Sequence, residues 1–67
     1  MSNKLDILHD YQAAVERITE LDRVCEEISQ RNRGRHLLDA YDEKKRRAEA
    51  ERDRLEDILE AMAAAED

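Results

Sequence analysis

Residues 30–35 read QRNRGR, and this segment holds the single glycine of a 67-residue chain that contains no proline. A glycine just past a helix end commonly adopts the left-handed conformation that stops the helix. Arg31 and Arg33 suit the negative end of a helix dipole. The segment therefore predicts the end of one helix and a turn at about residues 32–35.

The sequence before this turn places apolar residues at the alternating three- and four-residue steps of an amphipathic helix. Continued past Ile28, the same frame meets only polar residues, so the stripe stops at the turn. Ser2 or Asn3 can cap the beginning of the helix. These features predict a helix over about residues 4–31. Its apolar stripe is made of Tyr11, Ala14, Ile18, Leu21, Cys25 and Ile28.

A second amphipathic pattern follows the turn and predicts a helix over about residues 36–64. Two arms of nearly equal length around a glycine turn predict an all-α fold, a two-helix antiparallel hairpin that forms one domain over residues 1–67. One bent or continuous helix in a parallel coiled coil is the alternative. The second stripe is made of Leu37, Leu38, Tyr41, Ala48, Leu55, Ile58, Leu59 and Met62.

Folding the chain at this turn pairs residues whose numbers add up to about 67. Apolar residues then meet at both ends of the hairpin. The predicted contacts are Leu5 and Leu8 with Leu59 and Met62, Tyr11 with Leu55, Leu21 and Cys25 with Tyr41, and Ile28 with Leu37 and Leu38.

The middle of the hairpin matches less well, because Val15, Ile18 and Leu21 face Lys45, Ala48 and Arg52. The stems of Lys45 and Arg52 can lie along this seam with their charged heads in water. Burying one Ile or Leu side chain contributes about 1.5–3 kcal/mol, so a second copy that covers the surplus is favourable. We therefore expect a homodimeric four-helix bundle that packs helix 1 against helix 1. The predicted interface is Tyr11, Ala14, Val15, Ile18, Leu21 and Cys25.

Few residues of the sequence suit catalysis or metal binding. Cys25 is the single cysteine and occupies a core position, and His9 and His36 lie on different arms. The zinc-ligand spacings H-x-x-x-H and C-x-x-C are both missing from the sequence. No disulfide can form within the chain, which fits a reducing compartment. The sequence thus predicts a non-enzymatic protein without cofactor, located in the cytoplasm, and no membrane segment.

The charge of the chain is unevenly distributed. The formal net charge is −6, yet residues 31–54 contain 9 basic and 6 acidic residues, a net charge of +3. The run Lys44–Arg47 is flanked by acids, so a salt-bridged, solvated face is the simpler interpretation. The functional interpretation is a basic ridge that contacts an acidic protein surface or phosphates. The residues predicted to bind a partner are Tyr41, Lys45, Arg46 and Arg52, followed by Arg33 and Arg35.

In the lengths of its two arms, residues 4–31 and 36–64, the chain resembles small helical-hairpin dimers made by plasmids and phages. The plasmid copy-number regulator Rop is one such protein, and its likeness implies RNA or DNA binding along the basic ridge. Phage quorum-sensing anti-activators are another group, and their likeness implies an inhibitor that covers a functional surface of a host transcription regulator. The second function is our prediction, with nucleic-acid binding and a structural adaptor in a larger helical assembly as alternatives.

Overall fold

A computed structural model describes residues 3–31 and 33–66, and all of its regular structure there is helical. Helix α1 runs over Lys4–Gln30, a 3₁₀ turn follows at Arg35–Leu37, and helix α2 runs over Leu38–Glu66. The two helices pack against each other, and the molecule measures 53 × 19 × 14 Å. The predicted all-α hairpin is confirmed, and the alternative of one continuous helix is wrong.

The first helix begins at a capping box. The backbone N–H of Asp6 donates to Asn3 Oδ1 at 3.0 Å, and the backbone N–H of Asn3 donates to Asp6 Oδ2 at 3.4 Å. This reciprocal pair satisfies two backbone donors that have no partner within the helix. Asn3 is therefore the cap, and Ser2, the other candidate, lies outside the described residues.

The turn differs in one respect from its prediction. Gly34 adopts the left-handed conformation, with φ 86°, but it precedes the 3₁₀ turn and does not directly follow α1. The backbone N–H of Leu37 donates to the Gly34 carbonyl at 2.8 Å and closes the turn. Because this extra turn occupies residues 35–37, α2 begins at Leu38 and not at 36. Asn32 of the predicted turn lies outside the described residues.

The register of the hairpin agrees with the prediction. Residue numbers add up to 67 in three links between the helices: Tyr11 to Glu56, Asp22 to Lys45 and Cys25 to Asp42. A further link at the open end, from Lys4 to Glu66, adds up to 70. The main hydrophobic cluster forms in this register around Ile7, Ala14 and Leu55. Tyr11, Ile58, Leu59 and Met62 pack against it.

Two predictions about the core need correction. Leu5 is 74% exposed, and Ile7 is the N-terminal residue that packs into the cluster with Leu59 and Met62. The reason is geometric, since each residue turns the helix by about 100° and Leu5 lies far from the stripe that contains Ile7. In the middle of the hairpin only Val15 is left exposed, because Ile18 is buried and Leu21 is half-buried.

The middle of the hairpin also contains two long cationic side chains that are themselves partly buried. The side chains of Lys45 and Arg52 are each only 32% exposed, and their heads pair with Asp22 and Asp53. Side chains of this kind can lay their methylene stems along apolar surface while the charged ends stay near water. The surplus of apolar surface on α1 is therefore smaller than the sequence suggested.

Candidate protein-interaction surfaces

One broad side of the hairpin, here called the bridged face, is crossed by side-chain links. Lys45 Nζ lies 2.6 Å from Asp22 Oδ1, and Tyr11 Oη donates to Glu56 Oε1 at 2.9 Å. A third, weaker link runs from the Cys25 thiol to Asp42 Oδ1 at 3.8 Å. Positions 11, 22 and 25 of α1 are spaced by about three and four full helical turns, so they share one side. These links close the seam on this face.

The links also shift the acid–base behaviour of the groups that form them. The hydrogen bond to Glu56, together with burial, raises the pKa of Tyr11. Burial and the nearby Asp42 carboxylate raise the pKa of the Cys25 thiol. A raised pKa keeps that thiol protonated near neutral pH, which makes it a poor nucleophile. The hydrogen bond to Asp22 raises the pKa of Lys45.

The opposite broad side carries an open groove of about 670 Å³, here called the alanine groove. Ala14 and Ala48 are buried at its base, and Ala13 is exposed beside them. Its lining contains no Ser, His or Cys, so a nucleophile with a neighbouring base is not assembled there. The remaining lining residues are charged and of both signs: Asp10, Arg17, Lys44, Arg47 and Glu51.

A third surface, here called the basic tip, is formed at the turn by Arg31, Arg33, Arg35, His36 and Leu37. All five residues are exposed, and Leu37, with 43% of its surface accessible, adds an apolar contact among the cations. Among residues 3–31 and 33–66, none of the three arginines has an acidic partner within 4 Å. The tip therefore offers positive charge that the hairpin itself leaves available.

The basic run of α2 does not form one ridge. Lys44 Nζ lies 5.3 Å from the centre of the Tyr41 ring, Lys45 reaches back to Asp22, and Arg47 Nε pairs with Glu43 at 3.4 Å. Arg46 is exposed and forms no ion pair within the described part of the chain. Four consecutive helical residues point around most of the circumference, which is why the run is dispersed.

The six predicted partner contacts consequently fall into two groups. Arg33, Arg35 and Arg46 are exposed and available, and Tyr41 is half-buried beneath Lys44. Lys45 and Arg52 are instead engaged in ion pairs with Asp22 and Asp53.

The six predicted dimer contacts do not share one open face. Ala14 and Ile18 are already buried within the single hairpin, and Tyr11, Leu21 and Cys25 are half-buried. Val15 is exposed on the outer side of α1, where a shallow depression contains Val15, Glu16, Thr19, Glu20 and Arg23. The sequence pattern placed Ala14 and Ala48 in the two apolar stripes but did not predict the alanine groove, because most of its other lining residues are charged. The sequence carries no clear signal for it, since only Ala14 and Ala48 are identical among the lining pairs 34 residues apart.

Residues 3–31 and 33–66 contain no group of three or more His, Cys, Asp or Glu side chains placed to hold a metal ion. Across that same part of the chain, neither helix has a stretch apolar enough to cross a membrane. Comparison of the chain with protein-family models, with curated proteins and with solved structures found no match.

Proposed function

We propose that this chain is a small, non-enzymatic modulator that binds another protein through its basic tip and covers a functional surface of that partner. The observation that carries the proposal is the cluster of three exposed arginines without acidic partners in the described residues, in a chain whose net charge is −6. A cationic cluster of this kind is complementary to an acidic protein surface.

The chemistry of the tip suggests how binding proceeds. Arg33 and Arg35 speed the encounter with an acidic surface, because exposed charges at an interface act mainly on the association rate. Leu37 and the edge of Tyr41 supply the apolar contacts that determine the lifetime of the complex. Arg46, on the outer side of α2, extends the contact along the helix. Lys45 contributes indirectly, because its ion pair with Asp22 joins the two helices, whereas Arg52 pairs with its neighbour Asp53 on the same helix.

Inhibition in this proposal is steric. A rigid hairpin that seats its tip on a partner blocks whatever that surface normally binds, such as DNA or another subunit. The form suggested by the architectural resemblance is a phage-made inhibitor of a host transcription regulator, acting in the cytoplasm as a homodimeric four-helix bundle. The partly exposed apolar residues of the single hairpin support the dimer, since small scaffolds often gain stability from a second subunit.

Affinity capture with matched variants tests this function. The wild-type chain is expected to retain one specific partner, and the double variant Arg33→Glu, Arg35→Glu is expected to lose it. The control is Lys4→Glu with Arg23→Glu, which makes the same change in charge at exposed positions away from the tip. Equal retention by the tip variant and the control would overturn the proposal.

Nucleic-acid binding is the weaker candidate, because it depends on the run Lys44–Arg47. Lys45 and Arg47 are engaged with Asp22 and Glu43, which lowers the positive charge that the run can offer to phosphates. Binding to phosphates also weakens steeply as salt is added. A mobility shift at low salt that disappears on replacing Arg46 and Arg47 with alanine would favour this alternative over the protein-binding function.

A further inference from the structure

The alanine groove has an internal two-fold relationship. Its residues come in pairs 34 positions apart, one on each helix: Asp10 and Lys44, Ala13 and Arg47, Ala14 and Ala48, Arg17 and Glu51. Residues that lie side by side on the two helices have numbers that add up to 67. The two members of each pair therefore lie at equal distances on opposite sides of the middle of the groove. The alanines at 14 and 48 match, whereas the charges at 10 and 44, and at 17 and 51, have opposite sign.

We propose that the alanine groove is the surface on which a second copy of this chain docks. In this dimer the two-fold axis runs parallel to the helices, α1 of each copy lies over α2 of the other, and both basic tips are at the same end. The inference rests on the homodimer of the proposed function and identifies the face, which is not the helix 1 surface predicted from the sequence.

Charge complementarity supports this orientation. With α1 lying over α2 of the second copy, Arg17 meets Glu51 of that copy at the same level, and the symmetry makes the contact twice. Glu51 also pairs with Arg54 of its own helix at 2.6 Å, so Arg17 would share this carboxylate with Arg54. If the second copy were turned end for end, Arg17 would face Arg17 and Glu51 would face Glu51. Like charges placed directly opposite each other across an interface are destabilising.

The positive charges of the two tips repel each other in this arrangement, but they are exposed and therefore screened. Charges in water interact weakly beyond about 8 Å at physiological ionic strength. The contacts in the groove are closer and become partly shielded from water when the copies meet. The pairing within the groove therefore outweighs the repulsion between the tips.

Small residues at the base of the groove allow the helices of two copies to approach closely. Interaxial distances between packed helices fall to the short end of the usual 8–10 Å when the contact residues are small. Val24, seven residues after Arg17, continues the groove side of α1 toward the turn. Ile58, seven residues after Glu51, continues the groove side of α2 toward the open end. Both side chains are half-buried in the single hairpin. A second copy would cover these apolar side chains and the alanines together.

The available area is sufficient for a stable dimer. The broad face measures 53 by 19 Å, a product of roughly 1,000 Å², and specific interfaces bury about 800 Å² per partner. The chain exposes 5555 Å², whereas a compact monomer of 7.9 kDa is expected to expose about 4,400 Å². The single hairpin thus leaves an excess of accessible surface that is comparable with one such interface.

Filling the groove tests its role. Ala13→Trp places a large side chain in the groove, and Ala50→Trp places the same side chain at an exposed position of α2 outside its lining. Sedimentation velocity of the purified chain is expected to show a wild-type dimer at micromolar concentration. Ala13→Trp is expected to raise its dissociation constant about 100-fold, because overpacked contacts are strongly unfavourable, while Ala50→Trp leaves it unchanged. A monomeric wild type, or equal behaviour of the two variants, would overturn the proposal.

A charge exchange tests the orientation. Arg17→Glu alone puts two acids opposite each other twice in the dimer and is expected to weaken it about tenfold. Adding Glu51→Arg together with Arg54→Glu, which keeps an ion pair between positions 51 and 54, is expected to restore most of the affinity, because each new glutamate at 17 then faces a new arginine at 51. Failure of the added changes to rescue the first would contradict the proposed pairing of α1 with α2 of the second copy.

Spin labels at the turn measure the arrangement directly. The label is attached to His36→Cys in a Cys25→Ala background, so that each chain carries one. Tips at the same end predict a distance of roughly 20–30 Å between the labels, whereas an end-for-end dimer would separate them by about 40 Å or more, the length of α1. The longer distance would overturn the orientation. These measurements use the purified chain alone, so their result does not depend on capture of a partner.

Discussion

The open end of the hairpin and its turn end are held together in different ways. Within residues 3–31 and 33–66, the buried apolar residues lie toward the open end or in the middle: Ile7, Ala14, Ile18, Ala48 and Leu55. No residue in 19–31 or 33–47 is buried. The turn end instead relies on half-buried side chains and on the links from Asp22 to Lys45 and from Cys25 to Asp42.

This difference follows from how the chain is connected. At the turn the backbone keeps the two helices adjacent, so little entropy is lost when their side chains meet there. The free ends have no such connection, so they depend on burial and on the exposed ion pair between Lys4 Nζ and Glu66 Oε1 at 3.1 Å. The turn end can therefore leave Arg33, Arg35 and Leu37 exposed. Segments with few buried contacts are also those that proteins commonly use for binding.

The largest expected effect comes from deleting the centre of the core. Leu55 is 2% exposed. Its replacement by alanine is expected to lower the free energy of unfolding by about 2–5 kcal/mol. Leu38→Ala, the matched change at the half-buried turn end, is expected to cost less than half as much. Urea unfolding followed by circular dichroism, at one fixed protein concentration, measures both. Equal costs would mean that the two ends are held together alike.

A second change tests whether the turn is under backbone constraint. Gly34→Ala is expected to destabilise the hairpin by about 1–2 kcal/mol, because alanine is strained at φ 86°. A Cβ at this position would meet Leu37 Cδ1 at 3.9 Å, an ordinary contact, so crowding adds little. Gly34→Asn is the control, since asparagine tolerates the left-handed region better. If Gly34→Ala left the free energy of unfolding unchanged, the turn would be free to adopt another conformation.

A smaller effect is expected at the open end. Asn3→Ala removes the side-chain acceptor of the capping box and is expected to cost about 1 kcal/mol. Asn3→Ser keeps an acceptor at the cap and is expected to behave nearly like wild type. Thermal unfolding compares the two. Should both variants melt at the wild-type temperature, fraying of the first turn would not limit the stability of the open end.

The smallest effect concerns pH and the links of the bridged face. Cys25, Tyr11 and Lys45 all have raised pKa values, so the unfolded chain releases these protons at lower pH than the folded chain. Their contribution to stability is present below their unfolded pKa values, about 8.5, 10 and 10.4, and is lost as pH rises through the higher folded values. Urea midpoints are expected to fall gradually above about pH 8.5.

The variant Cys25→Ser serves as the control for this titration. It is expected to remove the part of the decline that begins near pH 8.5 and to leave the part above pH 10. A wild-type midpoint that stays constant up to pH 11 would contradict the role of the three links.

Much of the fold was accessible from the pattern of residues. The heptad of α1 and the near-equal arms predict the hairpin and its register, because apolar spacing dictates which side of each helix is buried. The burial of Ile18 was not predictable in this way. It depends on how closely the two helices pack at that level and on how the long side chains there are placed, and flexible side chains leave no such signal in a periodic pattern.

The candidate surfaces were only partly foreseen. Arg33, Arg35 and Arg46 were singled out from their charge, and they are exposed in the structure. The division of the two broad faces, one closed by links and the other open along Ala14 and Ala48, was not expected. It arises because tyrosine and lysine can span the seam, whereas alanine cannot.

The sequence by itself determined that two helices form, where they end to within one or two residues, and which residues lie level with one another. These properties depend on local spacing, on caps and on a single glycine, all of which act over a few residues. Only the tertiary structure decided which face is closed and which is open. That outcome depends on how far individual side chains reach across the seam, a property of two helices in contact that neither helix has alone.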